Sequence, residues 1–305
     1  MEIRRVVTGL IQGDDAVVED VRVPVPLDQG TGLVELWRVV GPMREVGAGF
    51  APVQSQGIVE EAGGLAWRIF LLAPGERPLH RTSTLDLLEV LEGSIVVVLE
   101  VGEVTLHAGD CLVLRGDVHG WRNDAATPAV LVAAMFGTDD VARERSVVSR
   151  RGVAKDPRRV VTGIDEHGRS IASADGAPPN TWGDAEHVHV VELWQTMAPL
   201  VHYAQGGDTA NGELQWPPTG AGIAWRHVSL APGADVSLHG TRLDLVLVRS
   251  GEISVDVAHR SRFSAGRRTA IIRRGLAVDL RNDGDAPADV SVLSVCSGAA
   301  SDGNA

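Results

Sequence analysis

Apolar residues along this chain come in short bursts, either alternating with polar ones or running four to eight in a row, and no stretch sustains the spacing of an amphipathic helix. AWRIFLLAPG (66–75) reads as a strand closed by a Pro-Gly turn, and DLLEVLEG (86–93) as a strand closed by glycine. SIVVVLEVGEVTLHAGD (94–110) reads as two strands around Val101 and Gly102; CLVLRGDVHGWRN follows, then a last strand over about 128–137. In PLHRTSTLDLLEVLEG (78–93), His80, Thr82, Thr84 and Asp86 recur at two-residue spacing. Read as one strand, it puts those four on one face and Arg81, Ser83, Leu85 and Leu87 on the other.

The pattern is written twice. RRVVTG occurs at 4–9 and 158–163, VELW at 34–37 and 191–194, and GLAWRIFLLAPG (64–75) answers GIAWRHVSLAPG (222–233). LDLLEVLEG (85–93) answers LDLVLVRSG (243–251), and RGDVHGWRND (115–124) answers RGLAVDLRND (274–283). Five matches in one order, 154 to 159 residues apart, describe a duplicated domain. The division expected is 1–145, a linker at 146–157, and 158–305. Closely spaced antiparallel strands in each half predict an all-β fold of two tandem jelly-roll or sandwich barrels.

Composition narrows the partners. A net charge of -12 repels nucleic-acid backbones and anionic membranes. The expected partner is a small-molecule substrate or, in a homodimer, a second copy of the chain. The basic run ARERSVVSRRGVAKDPRR (142–159) reads as a solvated linker. Two cysteines, Cys111 and Cys296, make neither a disulfide framework nor a thiolate cluster. With no apolar leader in MEIRRVVTGLIQGDD and no apolar run longer than AVLVAAMF (129–136), the expected compartment is the cytoplasm.

Two stretches of the first copy, Gly75–His80–Thr82–Asp86–Gly93 and Gly109–Gly116–His119–Asn123, resemble the two motifs of the cupins, and the duplication resembles the two-domain bicupins. The resemblance covers about 64–137 and, more weakly, 222–296. Thr82 stands where the family has a second histidine, Asp86 where it has glutamate, and Gly75 is one residue closer than the pattern asks. The resemblance implies that His80, Asp86 and His119 project into the barrel, bind a divalent metal and carry catalysis. Two imidazoles and a carboxylate are the ligand set of a non-haem Fe(II) facial triad, so Fe(II) is favoured, although zinc, nickel and manganese accept the same donors. Thr82, Thr84 and Trp121 are the expected pocket residues. The expected activity is a metal-dependent oxygenase on an aromatic or secondary-metabolite-like substrate. A non-redox cyclase or isomerase and a metal-free binding protein are the alternatives, and without metal a buried His-Asp pair could still do acid–base work.

The second copy reads as degenerate. His239, Thr241 and Asp244 look like the same strand with one residue deleted, which sends His239 and Asp244 to opposite faces unless a bulge intervenes, and Val278 replaces His119. No metal is expected there. His187 and His189 precede VELW and read as an outer strand face; His107, His167, His202, His227 and His259 have no partner at useful spacing. Trp37 with Trp194 and Trp67 with Trp225 recur in both copies and read as packing, whereas Trp121, with Leu280 as its counterpart, reads as a pocket wall. No phosphate-cradling glycine loop, G-x-S-x-G elbow or cysteine nucleophile signature is present.

Overall fold

The computed structural model describes residues 1–25, 31–41, 62–138, 157–196, 209–211, 214, 216, 218 and 222–296. The linker expected at 146–157 lies outside the described residues except for Pro157. In the first repeat the strands are β1 (Glu2–Ile11), β2 (Asp14–Pro24), β3 (Thr31–Val39), β4 (Leu65–Leu72), β5 (Gly75–His80), β6 (Thr84–Glu92), β7 (Ser94–Leu99), β8 (Glu103–His107), β9 (Cys111–Leu114), β10 (His119–Asn123) and β11 (Ala129–Gly137). In the second they are β12 (Arg159–Ile164), β13 (Ser170–Gly176), β14 (Asn180–Gly183), β15 (Val188–Gln195), β16 (Ile223–Leu230), β17 (Asp235–Leu238), β18 (Thr241–Ser250), β19 (Glu252–Val257), β20 (Ser261–Gly266), β21 (Thr269–Arg274), β22 (Val278–Arg281) and β23 (Ala288–Cys296). A short 3₁₀ turn, Thr209–Asn211, is the one helical element among the described residues, and no helix is long and apolar enough to cross a membrane.

Each repeat builds a large and a small sheet that face one another, the two walls of a jelly roll. In the first barrel these are β13-β12-β9-β6-β11-β4-β3 and β5-β10-β7-β8; in the second, β14-β15-β16-β23-β18-β21-β1-β2 and β17-β22-β19-β20. The opening hairpins are exchanged. β1, paired with β2, adds in parallel to β21 of the second barrel, and β12, paired with β13, adds in parallel to β9 of the first. Neither large sheet is therefore complete without the other repeat.

Strand parity sets three cores. Leu88 and Val90 of β6 point into the first barrel with Val97, Leu99, Leu112 and Leu131. Leu85 and Leu87, on the opposite face, pack between the barrels against Leu243, Leu245 and Leu247. All four recurring tryptophans, Trp37, Trp67, Trp194 and Trp225, lie in that central core. The second barrel has its own interior around Val246, Val255 and Leu280.

Two expectations need correction. Residues 78–93 are not one strand: β5 ends at His80, β6 begins at Thr84, and the chain crosses between the two sheets over 81–83. His80 and Asp86 therefore sit on facing sheets instead of sharing a face of one strand. The basic run is not solvated at its described end, because Arg158 ion-pairs with Asp110 and Asp175, and buried Arg159 donates to the Leu193 carbonyl.

Candidate functional site

β5 and β10 pair with His80 directly opposite His119. The approach needs glycine at 120, where a Cβ would lie 2.9 Å from the Arg77 carbonyl oxygen of β5. The two imidazoles stack at 4.5 Å between ring centroids with a 55° tilt, and Trp121 meets His119 edge-on at 5.7 Å. Each ring is anchored through Nδ1, His80 on the Pro78 carbonyl at 3.1 Å and His119 on the Asp117 carbonyl at 2.8 Å. A carbonyl only accepts, so Nδ1 carries a proton in both rings, and in the neutral ring the lone pair is on Nε2. Burial holds the His119 imidazole down at about 4; His80 adds to that, while the bond to Asp117 opposes it. His119 is thus neutral at pH 7.

Asp86 enters from the opposite wall, on β6. Its backbone pairs with Leu114 of β9 on one side and Met135 of β11 on the other. A cavity of about 240 Å³ joins His80, Thr82, Asp86, His119 and Trp121, floored by Phe70, Leu131 and Met135. Its wall is mainly apolar, and Arg77 adds one cation. Thr84, expected in the pocket, is not among the residues lining it; it is buried and donates from behind to the Thr82 hydroxyl at 2.8 Å.

The second repeat supports this site. Thr162 of the exchanged strand β12 donates to the Asp117 carboxylate at 2.6 Å and accepts from the Arg115 amide at 3.2 Å. It fastens the residue whose carbonyl orients His119. Asn123, the last motif position, does not reach the cavity. It donates to the carbonyls of Leu72 and Thr127 and accepts from the Ala125 amide; Asn282 repeats all three bonds with Leu230, Ala286 and Gly284.

In the second barrel Asp244 holds the place of Asp86, but its partner across β21 is Arg273, where the first barrel has Leu114. The Arg273 guanidinium is fully buried and ion-paired to Asp244, which also accepts from Thr241 at 2.8 Å. His239 lies in the turn between β17 and β18, and Val278 is buried. His187 is exposed and bonded to Asp184, and His189 is half-buried on β15.

His227, for which sequence spacing offers no partner, is buried between the barrels. Its Nε2 lies 3.1 Å from the Glu89 carboxylate and 3.7 Å from the Cys111 sulfur, and Arg249 bonds the other Glu89 oxygen. Burial pushes the Glu89 carboxyl up, but His227 and Arg249 outweigh it and hold it down at about 2. Burial and Glu89 push the Cys111 thiol well up. Among the described residues this is the one set of three metal-type donor atoms lying within 4.8 Å of one another; His80, Asp86 and His119 line one cavity without that convergence. The cluster's only sequence signal is a contrast between repeats, since Ile69, Leu247, Ala270 and Leu91 stand at the places of His227, Glu89, Cys111 and Arg249.

No family model matches the chain. It is 45% identical over 67 residues to phomopsin biosynthesis cluster proteins C' and D of Diaporthe leptostromiformis, over 21% of this chain and 35% of each relative. The match thus spans about a third of those proteins. Among solved structures, AerE from Microcystis aeruginosa aligns with a TM-score of 0.50 at 9% identity, over 90% of this chain and 96% of that one. A putative glyoxylate-induced protein from Pseudomonas aeruginosa aligns with a TM-score of 0.51 at 10% identity, over 87% and 81%. A cupin 2 conserved barrel domain protein from Leptotrichia buccalis gives 0.45 at 10%, over 76% and 83%. At 9% and 10% identity the likeness to the first two is one of fold.

Proposed function

The chain has the two-domain cupin fold, and from that premise we propose that it is a small-molecule enzyme of secondary metabolism, a metal-dependent oxygenase whose reacting centre is the first-barrel cavity. The observation that carries this reading is the pair of imidazoles anchored through Nδ1, which leaves Nε2 as the metal-binding nitrogen of each neutral ring, beside Asp86 on the facing wall. The names of the phomopsin cluster relatives support the metabolic setting. Fold alone does not select the reaction.

The donor set fits a divalent metal: His80 and His119 would hold it through Nε2 and Asp86 through a carboxylate oxygen. Bound Fe(II) would supply dioxygen activation, and zinc, nickel or manganese would supply Lewis acidity. The chain's own residues do the rest. Trp121, Phe70, Leu131 and Met135 offer apolar and aromatic surface to a substrate. Burial keeps His119 unprotonated across the neutral range. Arg77 offers a cation to an anionic substituent.

The looser spacing of the three donors favours a second reading, a metal-free cyclase or isomerase in which Asp86 and the histidines move protons. Oxygen uptake during turnover separates the two. An oxygenase consumes dioxygen with product formation and stops in its absence, whereas an isomerase is indifferent to it.

A further inference from the structure

The Glu89, Cys111, His227 and Arg249 cluster lies outside the cavity, in the core between the barrels. Its counterparts Leu247, Ala270, Ile69 and Leu91 show that the fold closes the equivalent place with apolar side chains. A buried ionic set costs desolvation that apolar packing avoids, so packing does not account for its presence on one side only.

Two of its three donor separations match the edges of a zinc tetrahedron. Zinc bonds of about 2.3 Å to sulfur and about 2.0 Å to nitrogen and oxygen give tetrahedral edges of roughly 3.6 Å for S to N and roughly 3.3 Å for N to O. The observed separations are 3.7 Å from Cys111 Sγ to His227 Nε2 and 3.1 Å from His227 Nε2 to Glu89 Oε2. Arg249, on the other Glu89 oxygen, fixes the orientation of the carboxylate as outer-shell partners of metal ligands do. A crevice of about 210 Å³ between the barrels, lined by Glu89, Gly109, Leu247 and Arg249, reaches the carboxylate edge of the cluster.

We propose that Glu89 and Cys111 of the first repeat and His227 of the second form a zinc site that staples the two barrels together. Zinc takes the His227 Nε2 lone pair with the ring proton on Nδ1, and it displaces the thiol proton of Cys111, which leaves to solvent. One thiolate, one imidazole and one carboxylate suit zinc over harder cations, and the fourth position falls to a water admitted by the crevice. This site is independent of the first-barrel cavity and of its reaction.

The test uses the full chain, stripped by chelator and titrated with Co(II) or Zn(II). Co(II) is expected to produce a thiolate-to-metal charge-transfer band that saturates at one equivalent. Zinc a hundredfold above its Kd is expected to raise Tm by about 5 °C or more. The His80→Ala/His119→Ala double variant keeps both responses, which separates this site from the cavity. Cys111→Ser loses the band. The quadruple variant Glu89→Leu/Cys111→Ala/His227→Ile/Arg249→Leu, which copies the apolar set of the other side, folds and loses the band; combined with His80→Ala/His119→Ala, so that the cavity takes no zinc, it loses the Tm rise as well. A wild-type protein without the thiolate band, or a zinc-dependent Tm rise that survives when the quadruple variant is combined with His80→Ala/His119→Ala, overturns the proposal.

Discussion

Asp244 and Arg273 face each other across β18 and β21 as a fully buried ion pair, at the place where the first barrel sets Asp86 opposite Leu114. The Leu114 to Arg273 difference between the repeats thus gives the two aspartates different neighbours across the sheet. In the second barrel a guanidinium neutralises the aspartate and, through the carbonyls of Thr241 and Leu276, occupies the space around it. In the first barrel the same position is apolar and Asp86 borders a cavity.

Arg273→Leu is therefore expected to destabilise the protein by about 3–5 kcal/mol, because it strands a buried carboxylate. Asp244→Leu/Arg273→Leu should recover most of that loss. Urea denaturation measures both. In the first barrel, Leu114→Arg is expected to pair with Asp86 and abolish metal uptake by the cavity.

Thr162 acts on the site through Asp117. Thr162→Val, which keeps the shape and removes the hydroxyl, should cost about 1–3 kcal/mol and weaken metal binding at the cavity, and Thr162→Ser should restore both. A purely structural role would lower stability and leave metal affinity unchanged, so calorimetric titration of the folded variant separates the two.

Two buried groups among the described residues, His119 and Glu89, set windows in the pH dependence of stability. The His119 imidazole is held from 6.5 down to about 4, so between these values the unfolded chain binds a proton that the folded one refuses. Its contribution is whole above about pH 6.5 and falls by roughly 3 kcal/mol as pH drops to about 4. Glu89, held from 4.5 down to about 2, contributes stability above pH 4.5 that is lost as pH falls through about 2. In metal-free protein, His119→Gln should remove the upper window and leave the lower one, as read from urea midpoints between pH 7 and pH 3.

Asn123 and Asn282 each close a loop by three bonds to backbone. Asn123→Ala and Asn282→Ala should each cost about 1–3 kcal/mol in thermal denaturation, and to similar extents, since the bonds are the same in both barrels.

The β content, the duplication and the equivalence of residues between copies were legible in the sequence because hydrophobic patterning and repeated words report on local structure. Pairing across copies was not. RRVVTG at 4–9 and 158–163 marks equivalent strands, but nothing in either stretch says that each joins the other repeat's sheet. The crossing at 81–83 was hidden because RTS contains neither glycine nor proline and the two-residue spacing continues through it. His227 was beyond reach for a different reason: its partners lie 138 and 116 residues away, and only contact in three dimensions joins them. Arg273 could have been found by setting IIRRG at 271–275 under LVLRG at 112–116, where an arginine replaces Leu114.

The central claim is that the first barrel alone carries the reacting centre. Anaerobic Fe(II) titration in the Cys111→Ala background, which silences the site between the barrels and leaves the cavity free of zinc, tests it most directly, with the wild-type cavity, His119→Ala and His239→Ala compared side by side. One equivalent bound by wild type and by His239→Ala, and none by His119→Ala, is the expected result. Undiminished binding by His119→Ala, or loss of binding in His239→Ala, would contradict it.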